Sequence, residues 1–132
     1  MSKLQQLQES MGALKVLYVE DEEGVREQTL IFLKKIFKNI DSASNGEEGL
    51  ERFKEKAYDL VISDLKMPKM NGREMLRQIH ELDKDAVLIV MTASDSNMDA
   101  SETVSDAYLK KPVMFMDFVE VLESMKERLQ KR

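Results

Sequence analysis

Five polar side chains that could do chemistry each stand at the end of a short apolar run in this sequence. They comprise three carboxylates, one hydroxyl and one ammonium group: Glu20, Asp21, Asp64, Thr92 and Lys111. Taken singly, an acid after such a run is most often a loop residue or a helix N-cap. Five such groups at the ends of four runs, with Glu20 and Asp21 after the same one, suggest a shared site.

Brought together, these five groups would form a site suited to phosphoryl chemistry. Three carboxylates held close to one another repel unless a cation neutralises them. Oxygen ligands in an open site suit Mg²⁺, which keeps several waters and binds phosphate oxygens. An ammonium group and a hydroxyl would stabilise the oxygens of a phosphoryl group in transfer. One of the carboxylates could then accept that group as an acyl phosphate.

The surrounding sequence predicts the elements that would gather these groups. Short apolar runs indicate strands at 16–19, 58–63, 86–91 and 107–109, and the more polar stretch 40–44 is a further strand candidate. Between them, apolar residues recur at helical spacing. Strands that are apolar throughout predict a parallel sheet with helices on both faces, which is the doubly wound α/β class. The carboxyl ends of such strands share one edge, where functional groups collect.

A single domain accounts for the length of the chain. The 132 residues are enough for one compact domain and too few for two of ordinary size. We expect the domain to span residues 15–132 and residues 1–14 to form an amino-terminal extension. Apolar residues recur at helical spacing in that extension, which is therefore either a short extra helix or a frayed terminus.

The composition argues against several classes of site and partner. The net charge is −5, with 20 Lys and Arg against 25 Asp and Glu, which disfavours nucleic acid as a partner. The absence of cysteine and the single histidine exclude disulfides, thiol catalysis and multi-histidine metal sites. The first residues are polar, and the longest apolar run is far below the roughly 20 residues that span a bilayer. We therefore expect a cytoplasmic protein without membrane insertion.

Four segments carry a family resemblance. They are Val-Leu-Tyr-Val-Glu-Asp-Glu (16–22), Ser-Asp-Leu-Lys-Met-Pro-Lys-Met-Asn-Gly (63–72), Met-Thr-Ala (91–93) and Tyr-Leu-Lys-Lys-Pro (108–112). Together they resemble the receiver domain of two-component response regulators, the CheY-like family. The second segment is highly specific, and the others support it by their order and spacing. The resemblance implies a five-stranded parallel sheet of the flavodoxin-like type.

The resemblance also implies a phosphoryl and metal site. Asp64 corresponds to the phosphoacceptor of the family. Asp21 would bind Mg²⁺ directly, Glu20 would bind it through water, and the backbone carbonyl of Lys66 would be a further ligand. Mn²⁺ is an alternative metal for the same site.

A second group of residues is implied to respond to the phosphoryl group. Thr92 would supply the hydroxyl that turns toward it, and Lys111 the cation that contacts it. Tyr108 would be the aromatic side chain that moves inward when Thr92 moves. Ala93 is small and would leave the phosphoryl group accessible. The Lys111–Pro112 peptide bond is expected to be cis, as is usual in the family.

Two further expectations concern the loops beside this site. Lys66 and Ser94 lie two residues after Asp64 and Thr92, at positions that flank the attacking water in this family. We expect them to tune the lifetime of the phosphoryl group. The stretch between Thr92 and Lys111 is polar and shorter than the usual pattern, which predicts a shortened fourth helix in the receiver fold.

The expected function is phosphorelay signalling. A sensor histidine kinase or a phosphotransfer protein would donate the phosphoryl group to Asp64, and the altered surface would bind a downstream partner protein. The short chain predicts a stand-alone response regulator. It would not be an enzyme beyond its own phosphorylation and dephosphorylation. The alternative is a pseudo-receiver, a protein-binding module of the same fold that does not switch.

Two other α/β classes fit the residues less well. A phosphatase with an aspartate nucleophile typically needs a second acid two residues after the nucleophile, where this chain has Lys66. A flavodoxin needs a phosphate-binding loop rich in Ser, Thr or Gly after the first strand. The acidic run 20–23 occupies that position and would repel the flavin phosphate.

Overall fold

A parallel sheet forms the centre of the molecule. The computed structural model describes residues 2–67, 69–93 and 103–130. Within these ranges the strands are β1 (Lys15–Val19), β2 (Asn39–Ala43), β3 (Leu60–Ser63), β4 (Val87–Thr92) and β5 (Ala107–Lys110). Their order across the sheet is β2-β1-β3-β4-β5, and every neighbouring pair is parallel. The predicted doubly wound α/β fold is confirmed.

Six helices surround the sheet in the described part of the chain. They are α1 (Lys3–Met11), α2 (Glu23–Leu33), α3 (Gly46–Glu55), α4 (Gly72–Leu82), α5 (Phe115–Ser124) and α6 (Lys126–Gln130). The shortened helix expected after β4 falls mainly on residues 94–102, which lie outside the described residues. Residues 103–106, which follow that stretch, are irregular.

Helix α1 gives the amino-terminal extension a defined structure. The Ser2 hydroxyl accepts a hydrogen bond from the Gln5 backbone at 3.1 Å, and the Gln5 side chain accepts one from the Ser2 backbone at 2.9 Å. This capping box satisfies two donors at the start of the helix. Leu7 and Met11 are buried in the core. Of the two alternatives for this segment, the helix is the one observed.

The segment after β5 forms two helices, α5 and α6, which are separated at Met125. Helix α5 ends before Met125, whose N–H donates to the carbonyls of both Val121 and Leu122 at 3.1 Å. Such a shared donor tightens the last helical turn toward 3₁₀ geometry. The short α6 then buries Leu129 in the same apolar cluster as residues of α1.

Two apolar cores lie on opposite faces of the sheet, which explains why the central strands β1, β3 and β4 are mostly apolar. Val16 and Tyr18 of β1 belong to the cluster that includes residues of α1, α2, α5 and α6. Leu17 and Val19 belong to the cluster built with α3 and α4. Among the described helices, none has the length and hydropathy needed to cross a membrane.

Candidate functional site

The three predicted acids meet at the carboxyl edge of the sheet. Val19 of β1 is in register with Ser63 of β3, so the chain leaves both strands at the same level. One carboxylate oxygen from each of Glu20, Asp21 and Asp64 lies within 4.8 Å of the other two. Strand register, which the parallel topology sets, therefore brings together residues that are more than 40 positions apart in the sequence.

Lys111 holds two of these acids together. Its Nζ donates hydrogen bonds to Glu20 Oε1 and, at 3.1 Å, to Asp64 Oδ2. The Glu20 side chain is only 2% exposed, so this pairing supplies the charge partner that a buried carboxylate needs. The Lys111 N–H donates to the Thr92 carbonyl at 2.8 Å, and the following peptide bond to Pro112 is cis, as the resemblance implied.

Burial and pairing shift the pKa values of both members of this ion pair. Burial raises the pKa of Glu20, and the hydrogen bond from Lys111 offsets only part of that effect. Burial also lowers the pKa of Lys111, but the hydrogen bonds and charges of Glu20 and Asp64 outweigh it and raise the net value. Lys111 therefore stays charged beside the carboxylates.

The backbone around Asp64 is held by close contacts. The Asp64 Oδ1 atom accepts a hydrogen bond from the Leu65 N–H at 2.7 Å. The first residue of α4, Gly72, packs directly against the same segment, because a Cβ there would lie 1.9 Å from the Asp64 carbonyl oxygen. On the other side of the loop, a Cβ on Gly46 would lie 2.1 Å from the Met70 carbonyl oxygen. Two glycines thus allow neighbouring helices to clamp this loop.

The donor set fits a small divalent cation. All three clustered side chains are carboxylates, which are the ligands that Mg²⁺ prefers. Arg26 supports them from α2 by donating to the backbone carbonyls of Glu20 at 2.8 Å and Asp21 at 3.5 Å. These bonds hold the backbone of the acidic loop and leave the carboxylates to face one another. The sequence gives no sign of this role for Arg26, since its position on the helix carries no motif.

Comparison with known proteins identifies the family of this acidic site. Residues 16–123 match the family model of the response regulator receiver domain. The chain belongs to this family. Receiver domains are phosphoaccepting signalling modules, which sets aside the phosphatase and flavodoxin alternatives.

Relatives and solved structures support the same assignment of a receiver domain. Transcriptional regulatory protein CiaR from Streptococcus pneumoniae is 33% identical over 120 residues, which cover 89% of this chain and 50% of that protein. The chain spans about half the length of the curated relatives it matches.

Two solved receiver structures are named with a metal and a beryllofluoride group. Response regulator protein TrrA from Thermotoga maritima, in complex with Mg²⁺-BeF, has a TM-score of 0.74 and 32% identity, covering 86% of this chain and 99% of that one. The CheX-CheY-BeF3-Mg²⁺ complex from Borrelia burgdorferi has a TM-score of 0.79 and 29% identity, covering 94% of this chain and 98% of that one.

The remaining predicted residues of this receiver domain occupy different environments. Thr92 is buried at the end of β4, whereas Ala93 is exposed next to it. Tyr108 is half-buried on β5, in register with Val90, and packs against the cluster of α3 and α4. Lys66 is exposed in the loop after Asp64. Ser94 lies outside the described residues.

Proposed function

We propose that this receiver domain accepts a phosphoryl group on the Asp64 carboxylate from a histidine kinase or phosphotransfer protein. In this step a carboxylate oxygen of Asp64 forms a bond to phosphorus. The bond from phosphorus to the donor's imidazole nitrogen breaks, and the imidazole leaves with the electron pair. The observation that supports the proposal most directly is the pairing of Asp64 with Lys111 inside a cluster of three carboxylates.

The residues around Asp64 supply the electrostatic needs of such a transfer. Lys111 already lies 3.1 Å from Asp64 Oδ2 and carries a positive charge that would balance an incoming phosphoryl group. Glu20, Asp21, Asp64 and the Lys66 carbonyl would hold Mg²⁺, which when bound supplies positive charge to the phosphoryl oxygens. We propose Mg²⁺ alone, because it is the metal named in the two related complexes.

The response to phosphorylation would run through Thr92 and Tyr108. Thr92 is buried beside the site, and Tyr108 is half-buried on the neighbouring strand. A phosphoryl group on Asp64 would give the Thr92 hydroxyl a new acceptor, and the space that Thr92 vacates would admit the Tyr108 ring. We propose that the surface around Tyr108 then binds a downstream partner protein.

Whether this receiver domain acts alone is a separate part of the proposal. The stand-alone type rests on the prediction made from length. The matched curated relatives are about twice as long and include several named transcriptional regulatory proteins. A receiver domain that works as one part of such a regulator is therefore the competing possibility. The cytoplasmic location also stays a prediction.

Phosphorylation by a small-molecule donor tests the central claim. Incubation with acetyl phosphate and Mg²⁺ should add the mass of one phosphoryl group to the intact chain, and EDTA should prevent the gain. Asp64→Asn should abolish it. Asp59→Asn serves as the matched control, because Asp59 lies at the opposite end of β3 and binds the Lys15 N–H at 2.9 Å.

The same measurement separates a switching receiver from a pseudo-receiver. A non-switching module would gain no mass in any of these reactions. A gain that persists in Asp64→Asn would show that another residue is the acceptor, and the proposal would then be wrong.

A further inference from the structure

An open cavity of about 600 Å³ lies between α2 and the segment that follows β5. Pockets that hold drug-sized molecules have volumes of roughly 300–1,000 Å³. The walls are mostly apolar, with a few polar groups among them: Tyr18, Val25, Gln28, Thr29, Phe32, Met91, Ala93, Lys111, Pro112 and Val113. Of the described residues of the phosphoryl site, Ala93 and Lys111 also line the cavity, which extends away from that site along α2.

The base of this cavity contains a buried hydroxyl to which the described part of the chain offers no acceptor in hydrogen-bond geometry. The Tyr18 side chain is 1% exposed, and its hydroxyl has no hydrogen-bond partner among the described residues. Burial raises the pKa of the hydroxyl to about 12, and the nearby polar side chain of Thr29 offsets only part of that rise. Tyr18 is therefore a neutral donor at ordinary pH, and a buried donor without an acceptor costs roughly 1–3 kcal/mol.

The charges around the cavity favour an uncharged occupant. Lys111 is the one charged side chain among the lining residues given above, and it is already bound to Glu20 and Asp64. An anion would meet these two carboxylates without a free cation to balance it, and a cation would meet Lys111. The lining residues therefore favour neither an anionic nor a cationic ligand.

One wall of the cavity is aromatic and rigid. The Phe32 ring packs edge-on against Phe115 at 5.6 Å and against Phe118 at 5.5 Å between ring centroids. These contacts hold the ring in place, so it presents a fixed surface to the cavity. A flat apolar molecule would gain contact with that ring without first having to order it.

We propose that this cavity binds a small uncharged aromatic molecule whose carbonyl oxygen accepts a hydrogen bond from the Tyr18 hydroxyl. The Thr29 side chain turns aside to admit the carbonyl, and the hydroxyl rotates about its own C–O bond to meet it. This binding requires no phosphoryl group on Asp64 and goes beyond the proposed function.

Two compounds of nearly equal shape test the hydrogen bond. Benzophenone carries the carbonyl, and 1,1-diphenylethylene replaces its oxygen with a CH₂ group. Titration of the unphosphorylated chain, followed by amide chemical shifts, should place both compounds at the cavity. Benzophenone should bind about three- to tenfold more tightly, as one hydrogen bond to a buried donor predicts.

Matched variants separate the hydroxyl from the cavity itself. Tyr18→Phe should remove the preference for benzophenone, and Tyr58→Phe should retain it, because the Tyr58 hydroxyl is bound to Asp41 on the other face of the sheet. Val25→Trp should fill the cavity and weaken the binding of both compounds. Ile31→Trp should leave the affinity for both compounds unchanged, since Ile31 is 64% exposed and does not line the cavity.

Three results would overturn the proposal. The first is that neither compound perturbs the residues of the cavity. The second is that Tyr18→Phe, shown to be folded by circular dichroism, keeps the full preference for benzophenone. The third is that raising the protein concentration perturbs these same residues while neither compound does, which would make this face a contact between two copies of the chain.

Discussion

The two ends of the sheet bury opposite kinds of side chain, charged at one end and apolar at the other. At the carboxyl end, Glu20, Asp64 and Lys111 are charged and wholly or largely buried, and Lys111 pairs with both acids. At the amino end, α1 covers the core with apolar side chains, and Leu7 and Met11 are 3% and 1% exposed. Burying charge costs free energy even when the charges are paired, whereas burying apolar surface is favourable.

The polar contacts at the amino end are conventional by comparison. The Gln8 side chain donates to the Lys35 carbonyl at 2.6 Å, and the Lys38 N–H donates to the Gly12 carbonyl at 2.9 Å. Both bonds join the end of α1 to the segment that follows α2, and they satisfy groups that would otherwise lack partners. We infer that the carboxyl end was shaped for chemistry and that the amino end supplies part of the stability that this chemistry costs.

The largest effect should come from the amino end. Met11→Ala should lower the free energy of unfolding by about 2–5 kcal/mol, because it removes a fully buried side chain and leaves a cavity. Urea unfolding followed by circular dichroism measures the change. Acyl phosphate formation should persist under conditions in which the variant is still folded.

Glu9→Ala is the control for this prediction, since Glu9 is exposed on the same helix. It should change the unfolding free energy by less than about 0.5 kcal/mol. A loss below about 1 kcal/mol for Met11→Ala would mean that α1 contributes little, and the contrast between the two ends would not hold.

A smaller effect on stability, but a larger one on chemistry, is expected at the carboxyl end. Gly72→Ala should destabilise the chain by about 1–3 kcal/mol and slow phosphorylation, because the new Cβ would meet the Asp64 carbonyl oxygen at 1.9 Å. The shift that relieves this clash moves the backbone of the acceptor. Initial rates of mass gain with acetyl phosphate measure the second effect.

Gly24→Ala is the matched control for the glycine substitution. A Cβ on Gly24 has no neighbour within 4 Å, and the residue lies in the first turn of α2. Alanine there should be neutral or stabilising by up to about 1 kcal/mol. Equal phosphorylation rates in Gly72→Ala and Gly24→Ala would show that close packing at Gly72 does not position Asp64.

Two buried tyrosines, Tyr18 and Tyr58, can be compared by removing the hydroxyl oxygen from each. Tyr58→Phe should lower the free energy of unfolding by about 1 kcal/mol at neutral pH, because the Tyr58 hydroxyl donates to Asp41 at 2.6 Å. Tyr18→Phe should be neutral or stabilising, because it removes a buried hydroxyl that has no partner among the described residues. Thermal or urea unfolding of the two variants under identical conditions measures the difference.

The cost of Tyr58→Phe should depend on pH. The hydrogen bond from Tyr58 is the main cause that lowers the pKa of Asp41, with Lys56 adding to it. A carboxyl group with a lowered pKa stabilises the fold above its unfolded pKa of about 4, and that contribution disappears as the pH falls through the folded value. The difference between the parent and Tyr58→Phe should therefore narrow below about pH 4. A difference in unfolding free energy that stays constant with pH would show that Tyr58→Phe loses stability through packing instead of through Asp41.

Much of the fold and most of the site could be predicted from the sequence because both depend on local patterns. Apolar runs identified the strands, and parallel topology placed the residues after Val19, Ser63 and Met91 at one edge. The position of the acids at that edge follows directly from the parallel topology. The family motifs then indicated which acid would be the phosphoacceptor.

Other features depend on contacts that no local pattern encodes. Arg26 could be found only from the backbone carbonyls it binds, and the break at Met125 only from how α6 packs near α1. The cavity above Tyr18 likewise depends on the distance between α2 and the segment after β5. Side-chain packing between elements distant in the sequence determines all three.

The smallest expected effect concerns how long a phosphoryl group would remain on Asp64. Lys66 is exposed two residues after the acceptor, where its long side chain can lie over the site and hinder the approach of water. Lys66→Asn should shorten the phosphoryl lifetime a few-fold, which corresponds to less than about 1.4 kcal/mol in the barrier to hydrolysis. The rate of phosphorylation should change less than the lifetime.

Lys69→Asn is the matched control, because it removes the same charge from the same loop. Lys69 has a φ of 63°, in the left-handed region, where asparagine is tolerated better than most residues. It should leave the lifetime unchanged and should not destabilise the loop. Loss of mass after removal of acetyl phosphate gives both lifetimes, and an equal shortening in the two variants would assign the effect to the charge of the loop instead of to the position of Lys66.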